Sequence, residues 1–197
     1  KRIVPADRAL RTGDWAPRDA HDGAVLIAGK TALVLGLGAV GHRVARACRG
    51  LGMRVLAVRR RPGAVDGGLV DAASGAELAD EVHPPADLAD LLPRADALLV
   101  CLPLTPKTTG LIGARELARL PGRAVLVNIA RGPVIDEAAL YAALAEGRLH
   151  GAGLDVWWRY PGGADEGAVP PSDLPFHRLD NVVMSPHRAG HVAETEA

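Results

Sequence analysis

Gly36, Gly38 and Gly41 have the spacing G-x-G-x-x-G and lie between an apolar run and a segment of helical period. In a strand–turn–helix unit the first glycine permits a tight turn, and the second lets backbone N–H groups approach a pyrophosphate. The third glycine lets the helix pack closely on the strand, and the helix dipole favours the anion. These residues therefore predict a dinucleotide-binding loop.

The residue about 20 positions beyond such a loop indicates which dinucleotide binds, because NAD sites carry an acidic residue there for the ribose hydroxyls. Here Arg59 occupies that position and is followed by Arg60 and Arg61. A guanidinium group binds a phosphate in a bidentate, charge-assisted manner. We therefore expect NADP as the cofactor. NAD bound through backbone contacts beside a solvated basic turn is the alternative.

Short apolar runs alternate with segments of helical period, which is typical of βαβ units around a parallel sheet. The runs are continuous, as expected for strands covered by helices on both faces. The predicted fold is thus a doubly wound α/β sheet of the Rossmann type. Strands are predicted at 31–37, 54–59, 96–102, 124–129, 151–156 and 181–184, and helices at 40–49, 86–92, 114–120 and 136–146.

The composition limits the partners. Lys and Arg total 23, as do Asp and Glu, so no net field attracts nucleic acid or an anionic membrane. There is no apolar run of about 20 residues for a membrane span and no apolar stretch at the start, so we expect a cytoplasmic protein.

Cys48 and Cys101 lie in apolar segments, which favours reduced buried thiols, and we predict no metal site.

Four further segments occur in order: DALLVCLPLTPKTTGLIG at 96–113, VNIARGPVIDE at 127–137, GLDV at 153–156 and SPH at 185–187. Together with the glycine loop they resemble the D-isomer-specific 2-hydroxyacid dehydrogenase family. The resemblance implies an oxidoreductase that interconverts a small 2-hydroxy acid and a 2-oxo acid, and a homodimer formed through this domain. It also implies that residues 1–22 connect to a substrate domain outside this chain, while 23–197 form the dinucleotide-binding domain.

The resemblance assigns roles to individual residues. Arg131 is expected to anchor the substrate carboxylate, and a planar permanent cation suits that role. His187 is expected to act as general acid and base, because imidazole titrates near neutral pH. The remaining expected cofactor contacts are Ala39 and Val40 at the pyrophosphate, Pro103 and Thr108 near the adenosine, Asp155 at the nicotinamide carboxamide, and Ile129 and Arg131 in the loop between 127 and 137.

The sequence departs from the family pattern at Tyr160, where the family usually has a Glu that hydrogen-bonds the catalytic His. Related formate dehydrogenases use a neutral Gln, so we take Tyr160 as the expected neutral partner of His187. Asp165 or Glu166 is the alternative partner. Two other functions stay open: a formate dehydrogenase-like enzyme, and a corepressor-like protein that senses the dinucleotide. The presence of Arg131 and His187 favours the 2-hydroxyacid dehydrogenase.

Overall fold

The computed structural model describes residues 3–20, 24–60, 78–163 and 168–190. In this part of the chain seven parallel strands form one sheet in the order β3-β2-β1-β4-β5-β6-β7. The order reverses between β1 and β4, which creates the crevice where ligands bind in open α/β sheets. The strands are β1 (Thr31–Leu35), β2 (Arg54–Val58), β3 (Glu81–His83), β4 (Ala97–Val100), β5 (Val125–Asn128), β6 (Gly151–Leu154) and β7 (Val182–Met184).

The described ranges contain five α-helices beside the sheet: α1 (Ile3–Leu10), α2 (Ala39–Gly50), α3 (Leu88–Leu91), α4 (Ala114–Leu117) and α5 (Glu137–Ala145). Alternate residues of β1 enter different cores. Leu33 and Leu35 join the cluster that contains α3, α4 and α5, whereas Ala32 and Val34 join the cluster that contains α2. Because both faces of the sheet are covered, the strands need apolar residues at every position. The predicted doubly wound fold is confirmed.

All six predicted strands are present, but most end earlier than predicted. The prediction of 31–37 included Gly36, whose φ of +95° ends β1 at Leu35. In the same way Arg59, Ile129 and Asp155 lie just beyond β2, β5 and β6. Arg59 and Asp155 each donate one further backbone bond to a neighbouring strand, to His83 and Asn128, where the strand pairing ends.

Other predicted bounds were also inexact. The strand β3 was not predicted, since Glu81-Val82-His83 is a short polar segment at the edge of the sheet. The predicted helix 86–92 is a short α3 flanked by 3-10 turns, and the predicted helix 114–120 ends at Leu117. A further helix, α1, lies near the N-terminus. Cys48 is buried, Cys101 is half-buried, and both are free thiols.

Candidate functional site

The parallel sheet brings most predicted site residues to one edge. The glycine loop follows β1, Arg59 follows β2, Arg131 follows β5, Asp155 follows β6 and His187 follows β7. Since all seven strands run in the same direction, their carboxyl ends lie at the same edge, where ligands bind in such folds. The sequence-predicted residues are thus arranged along a single rim, from β2 on one side of the crevice to β7 on the other.

The glycine loop is built by close backbone contacts. A Cβ on Gly36 would lie 2.9 Å from the carbonyl oxygen of Cys101, and its φ is +95°. A Cβ on Gly41 would lie 1.9 Å from the carbonyl oxygen of Gly36. Only residues without a side chain permit both approaches. The first and third glycines therefore hold the start of α2 tightly against the end of β1.

Gly38 differs from its neighbours because a Cβ built on it meets no atom within 4 Å. Gly38 is the N-cap of α2, and its side of the loop is open, with Ala39 and Val40 exposed beside it. No side chain of the described residues caps this helix end, and its first turn carries no acidic residue. Backbone N–H groups at such an end are available to an anion. The loop therefore fits a dinucleotide pyrophosphate.

Arg59 is half-buried directly after β2, and its backbone N–H donates to the carbonyl oxygen of His83 at 3.0 Å. Arg60 is exposed next to it, and Arg61 lies outside the described residues. The backbone contact fixes Arg59 at the rim, one strand away from the glycine loop. Two permanent cations thus lie where the ribose of a bound dinucleotide is expected.

Pro103 and Thr108 belong to one compact turn after β4. The Thr108 hydroxyl donates to the carbonyl oxygen of Pro103 at 2.7 Å and also accepts the backbone N–H of Thr105 at 2.8 Å. Pro103 is exposed and Thr108 is half-buried. Thr108 therefore shapes the loop beside the crevice, while its role toward a cofactor stays a prediction.

Arg131 is held in place by Asn128, the last residue of β5. Asn128 is fully buried; its Nδ2 donates to the carbonyl oxygen of Arg131 and its Oδ1 accepts the backbone N–H of Ala130, both at 3.0 Å. The Arg131 guanidinium donates to the carbonyl oxygen of Ala130 at 2.6 Å, and the side chain is exposed at the rim. Ile129 is half-buried in the same turn. A permanent cation is thus presented on a rigid turn.

His187 lies in a turn that Asp155 closes. Its φ of +57° is in the left-handed region, which residues with a side chain seldom adopt. The Asp155 Oδ1 accepts the backbone N–H of Arg188 and Oδ2 accepts that of Ala189, both at 2.9 Å. Backbone strain of this kind persists where surrounding contacts over-determine it, often at functional sites. These contacts fix the backbone that carries the His187 imidazole.

The electrostatics of Asp155 follow from the same contacts. Burial alone raises the pKa of this carboxyl, because the charged form loses hydration. Hydrogen bonds from the Ser185 hydroxyl and from the two backbone N–H groups, together with the charge of His187, outweigh burial and lower the pKa below its ordinary value. Asp155 is therefore an anion at neutral pH. Its two oxygens accept the two backbone N–H groups of the turn and, in addition, the Ser185 hydroxyl.

Tyr160 lies beside His187, and its hydroxyl oxygen also accepts a bond from the backbone. The two ring centroids are 5.5 Å apart with a tilt of 54°. The Tyr160 oxygen accepts the backbone N–H of Trp157 at 3.0 Å. Because a phenol oxygen that accepts one bond can still donate its own hydrogen, Tyr160 as the neutral partner of His187 stays a prediction. Asp165 and Glu166, the alternative partners, lie outside the described residues.

Two residues that were not assigned a site role support this arrangement. Trp157 is almost completely buried and its indole N–H donates to the carbonyl oxygen of Ser185 at 2.9 Å, which ties the loop after β6 to the loop that carries His187. Asn128 lies in the segment VNIARGPVIDE at 127–137. A polar residue at the end of an apolar strand is the sequence signal that could have identified its supporting role. Trp157 and Trp158 both pack against Phe176.

Comparison with known proteins identifies the family. Residues 1–189 match the family model described as D-isomer specific 2-hydroxyacid dehydrogenase, NAD binding domain. The chain belongs to this family. As an NAD-binding domain of the 2-hydroxyacid dehydrogenases, it has the strand order β3-β2-β1-β4-β5-β6-β7. The glycine loop and the turns of Arg131 and His187 lie at one edge of this sheet.

Among the described residues no group of three or more His, Cys, Asp or Glu side chains could hold a metal ion.

Individual relatives support the assignment. The chain is 37% identical to a glyoxylate reductase of Korarchaeum cryptofilum over its whole length, and it covers 54% of that protein. Of the solved structures, a D-isomer specific 2-hydroxyacid dehydrogenase from Xanthobacter autotrophicus Py2 in complex with NADPH and MES superposes with a TM-score of 0.73 at 35% identity, over 98% of this chain and 70% of the other. An acyclic imino acid reductase in complex with NADPH and D-Arg superposes with a TM-score of 0.77 at 27% identity, over 99% of this chain and 55% of the other.

The chain thus spans about half the length of the glyoxylate reductase that it matches. None of the helices in the described ranges is both long and apolar enough to cross a membrane.

Proposed function

We propose that this domain serves an oxidoreductase that interconverts a small 2-oxo acid and a 2-hydroxy acid, with NADP preferred over NAD. One observation carries the proposal: Arg131 and His187 lie on rigid turns at the sheet edge that also carries the glycine loop. A carboxylate anchor and a proton donor beside a dinucleotide site are the two groups that reduction of a 2-oxo acid requires of the protein.

A nicotinamide bound here supplies or accepts a hydride at its C4 carbon. In this proposal the Arg131 guanidinium binds the substrate carboxylate through two parallel N–H···O bonds and polarises the adjacent carbonyl. His187 donates a ring proton to the carbonyl oxygen during reduction and removes the hydroxyl proton during oxidation. Asp155 and Trp157 act as positioning residues, because their hydrogen bonds fix the loop that carries His187.

Two features support NADP as the preferred cofactor. Arg59 occupies the position where NAD-binding domains carry an acidic residue, and Arg60 is exposed beside it. A carboxylate there would repel a 2′-phosphate, whereas guanidinium groups attract it. Solved relatives with similar folds are described in complex with NADPH. NAD remains the second cofactor to be measured.

The proposal includes a division of the chain. Residues 1–22 connect to a substrate-binding domain, and 23–197 bind the dinucleotide. The exposed apolar side chains Ile3, Val4, Leu10 and Trp15 support this division, because they contribute nothing to the cores of the described domain. We also propose that two copies associate through the dinucleotide-binding domain, which sedimentation would measure directly.

A steady-state assay with the complete protein tests the function. NADPH is mixed with glyoxylate, hydroxypyruvate or pyruvate, and its absorbance is followed; in parallel, NADP⁺ is mixed with formate. We expect NADPH to be consumed with at least one 2-oxo acid and no NADP⁺ to be reduced by formate. Reduction of NADP⁺ by formate would favour the formate dehydrogenase alternative. Tight NADPH binding with no turnover on any 2-oxo acid would favour the dinucleotide sensor.

A further inference from the structure

His42 lies in the first part of α2, immediately after the last glycine of the loop. Its ring nitrogen Nε2 is buried, and the described residues provide no hydrogen-bond partner for it. Native proteins seldom leave a buried polar nitrogen without a partner, and each such case calls for an explanation. A ligand group that enters beside α2 is one explanation.

The charge of Arg59, at the end of β2, acts on the imidazole of His42. Burial first, and the positive charge of Arg59 second, lower the pKa of the His42 imidazole below its ordinary value of 6.5. Of the charged groups in the described residues, Arg59 is the only one whose charge shifts this pKa, while Arg43 and Arg46 are exposed on the same helix. Since its pKa lies below 6.5, the imidazole of His42 is mainly neutral at pH 7.

A dianion between these two residues would change that balance. It would attract Arg59, provide an acceptor for the buried Nε2 atom and favour the protonated imidazole, since a nearby opposite charge stabilises the charged form. The 2′-phosphate of NADP is such a dianion and is expected at the end of β2. The 2′-hydroxyl of NAD carries no charge and would leave His42 neutral.

We propose that His42 is a specificity-determining residue of the 2′-phosphate site, which takes up one proton from solvent and hydrogen-bonds the phosphate when NADP binds. This inference rests on the proposed preference for NADP. It adds a residue from α2 to the arginines after β2, so that the phosphate is held from two elements of the fold. Proton uptake by His42 also makes the discrimination between NADP and NAD stronger as the pH falls from 8 toward 7.

Calorimetric titration with NADP⁺ and with NAD⁺ at pH 7.5 tests the inference. Wild type is compared with His42→Gln, which keeps a polar side chain but cannot carry a proton, and with His150→Gln, which replaces an exposed histidine immediately before β6. Each titration is run in two buffers with different ionisation enthalpies, which measures proton uptake. The second pKa of a phosphate monoester is about 6, so the ligand itself contributes little at pH 7.5.

We expect His42→Gln to weaken NADP⁺ binding about tenfold, the effect of losing one charge-assisted hydrogen bond, and to change NAD⁺ binding less than twofold. Proton uptake on NADP⁺ binding should be present in wild type and His150→Gln and absent in His42→Gln. Retained NAD⁺ affinity shows that the variant is folded. If wild type prefers NADP⁺ while His42→Gln binds it equally well with unchanged proton uptake, the role of His42 is wrong and the proposed cofactor stands. If wild type shows no preference for NADP⁺, both are wrong.

Discussion

Replacing individual glycines of the loop should separate its two tasks, packing and anion binding. In Gly41→Ala the new Cβ would lie 1.9 Å from the Gly36 carbonyl oxygen, so the start of α2 must move by about 1 Å to restore the 3.0 Å that real Cβ contacts respect. Overpacking of this kind costs about 1–3 kcal/mol. For a domain of this size, that lowers Tm by roughly 2–12 °C.

Gly38→Ala is the matched variant, because its Cβ would meet no atom within 4 Å. A small loss at the N-cap position opposes a small gain from reduced freedom of the unfolded chain, so we expect the free energy of unfolding to change by less than about 1 kcal/mol. The Cβ would nevertheless occupy the open side of the loop. Loss of one charge-assisted bond to a phosphate would weaken dinucleotide binding about 10- to 100-fold.

The assay is thermal unfolding of each variant without ligand, followed by calorimetric titration with NADP⁺. Gly50→Ala, at the last position of α2 with nothing within 4 Å of its Cβ, is a control that should bind normally. The reasoning is refuted if Gly41→Ala is as stable as wild type, or if Gly38→Ala binds NADP⁺ with full affinity.

Four further changes test the rim of the crevice. Arg131→Lys should lower kcat/KM at least tenfold with unchanged cofactor affinity, because lysine cannot form the planar two-point contact; equal kinetics would remove the assigned role. His187→Asn should lower turnover about 100-fold or more while NADP⁺ still binds, and wild-type turnover would exclude acid–base work by this residue. Asp155→Asn should be about 1–3 kcal/mol less stable at pH 7, since one backbone N–H loses its acceptor. Because the Asp155 pKa is lowered, the stability advantage of the wild type is present above the ordinary value of 3.8 and disappears as the pH falls through the lowered pKa. A stability advantage that persisted in acid would contradict the contact. Tyr160→Phe should keep turnover within about threefold because the ring still contacts His187, whereas a tenfold loss would show that the hydroxyl acts in the reaction.

The fold could be predicted well from sequence because a doubly wound sheet buries both faces of its strands. Continuous apolar runs such as 32–35 and 55–58 fit strands that are buried on both faces. The strand β3 escaped prediction for the opposite reason. Edge strands need few apolar residues, and Glu81 and His83 are stabilised by ion pairs with Arg54, Arg94 and Asp87.

The positions of the site residues could be predicted because they follow strands whose order is implied by the βαβ pattern. The contacts that orient them could not. The hydrogen bonds that Asp155 accepts from the backbone of Arg188 and Ala189 join residues more than 30 positions apart. The left-handed φ of His187 also has no signal in a sequence of ordinary residues. The direction of the Tyr160 hydroxyl toward Trp157 also depends on the local path of the loop.

Transfer of a labelled hydride tests the central claim most directly. NADPH carrying two deuterium atoms at C4 of the nicotinamide is incubated with the complete protein and the 2-oxo acid that gives the fastest consumption of NADPH. We expect the 2-hydroxy acid product to carry one deuterium at C2, with one equivalent formed for each NADPH oxidised. Consumption of NADPH without deuterium in the product, or NADPH binding with no product at all, would contradict the proposal.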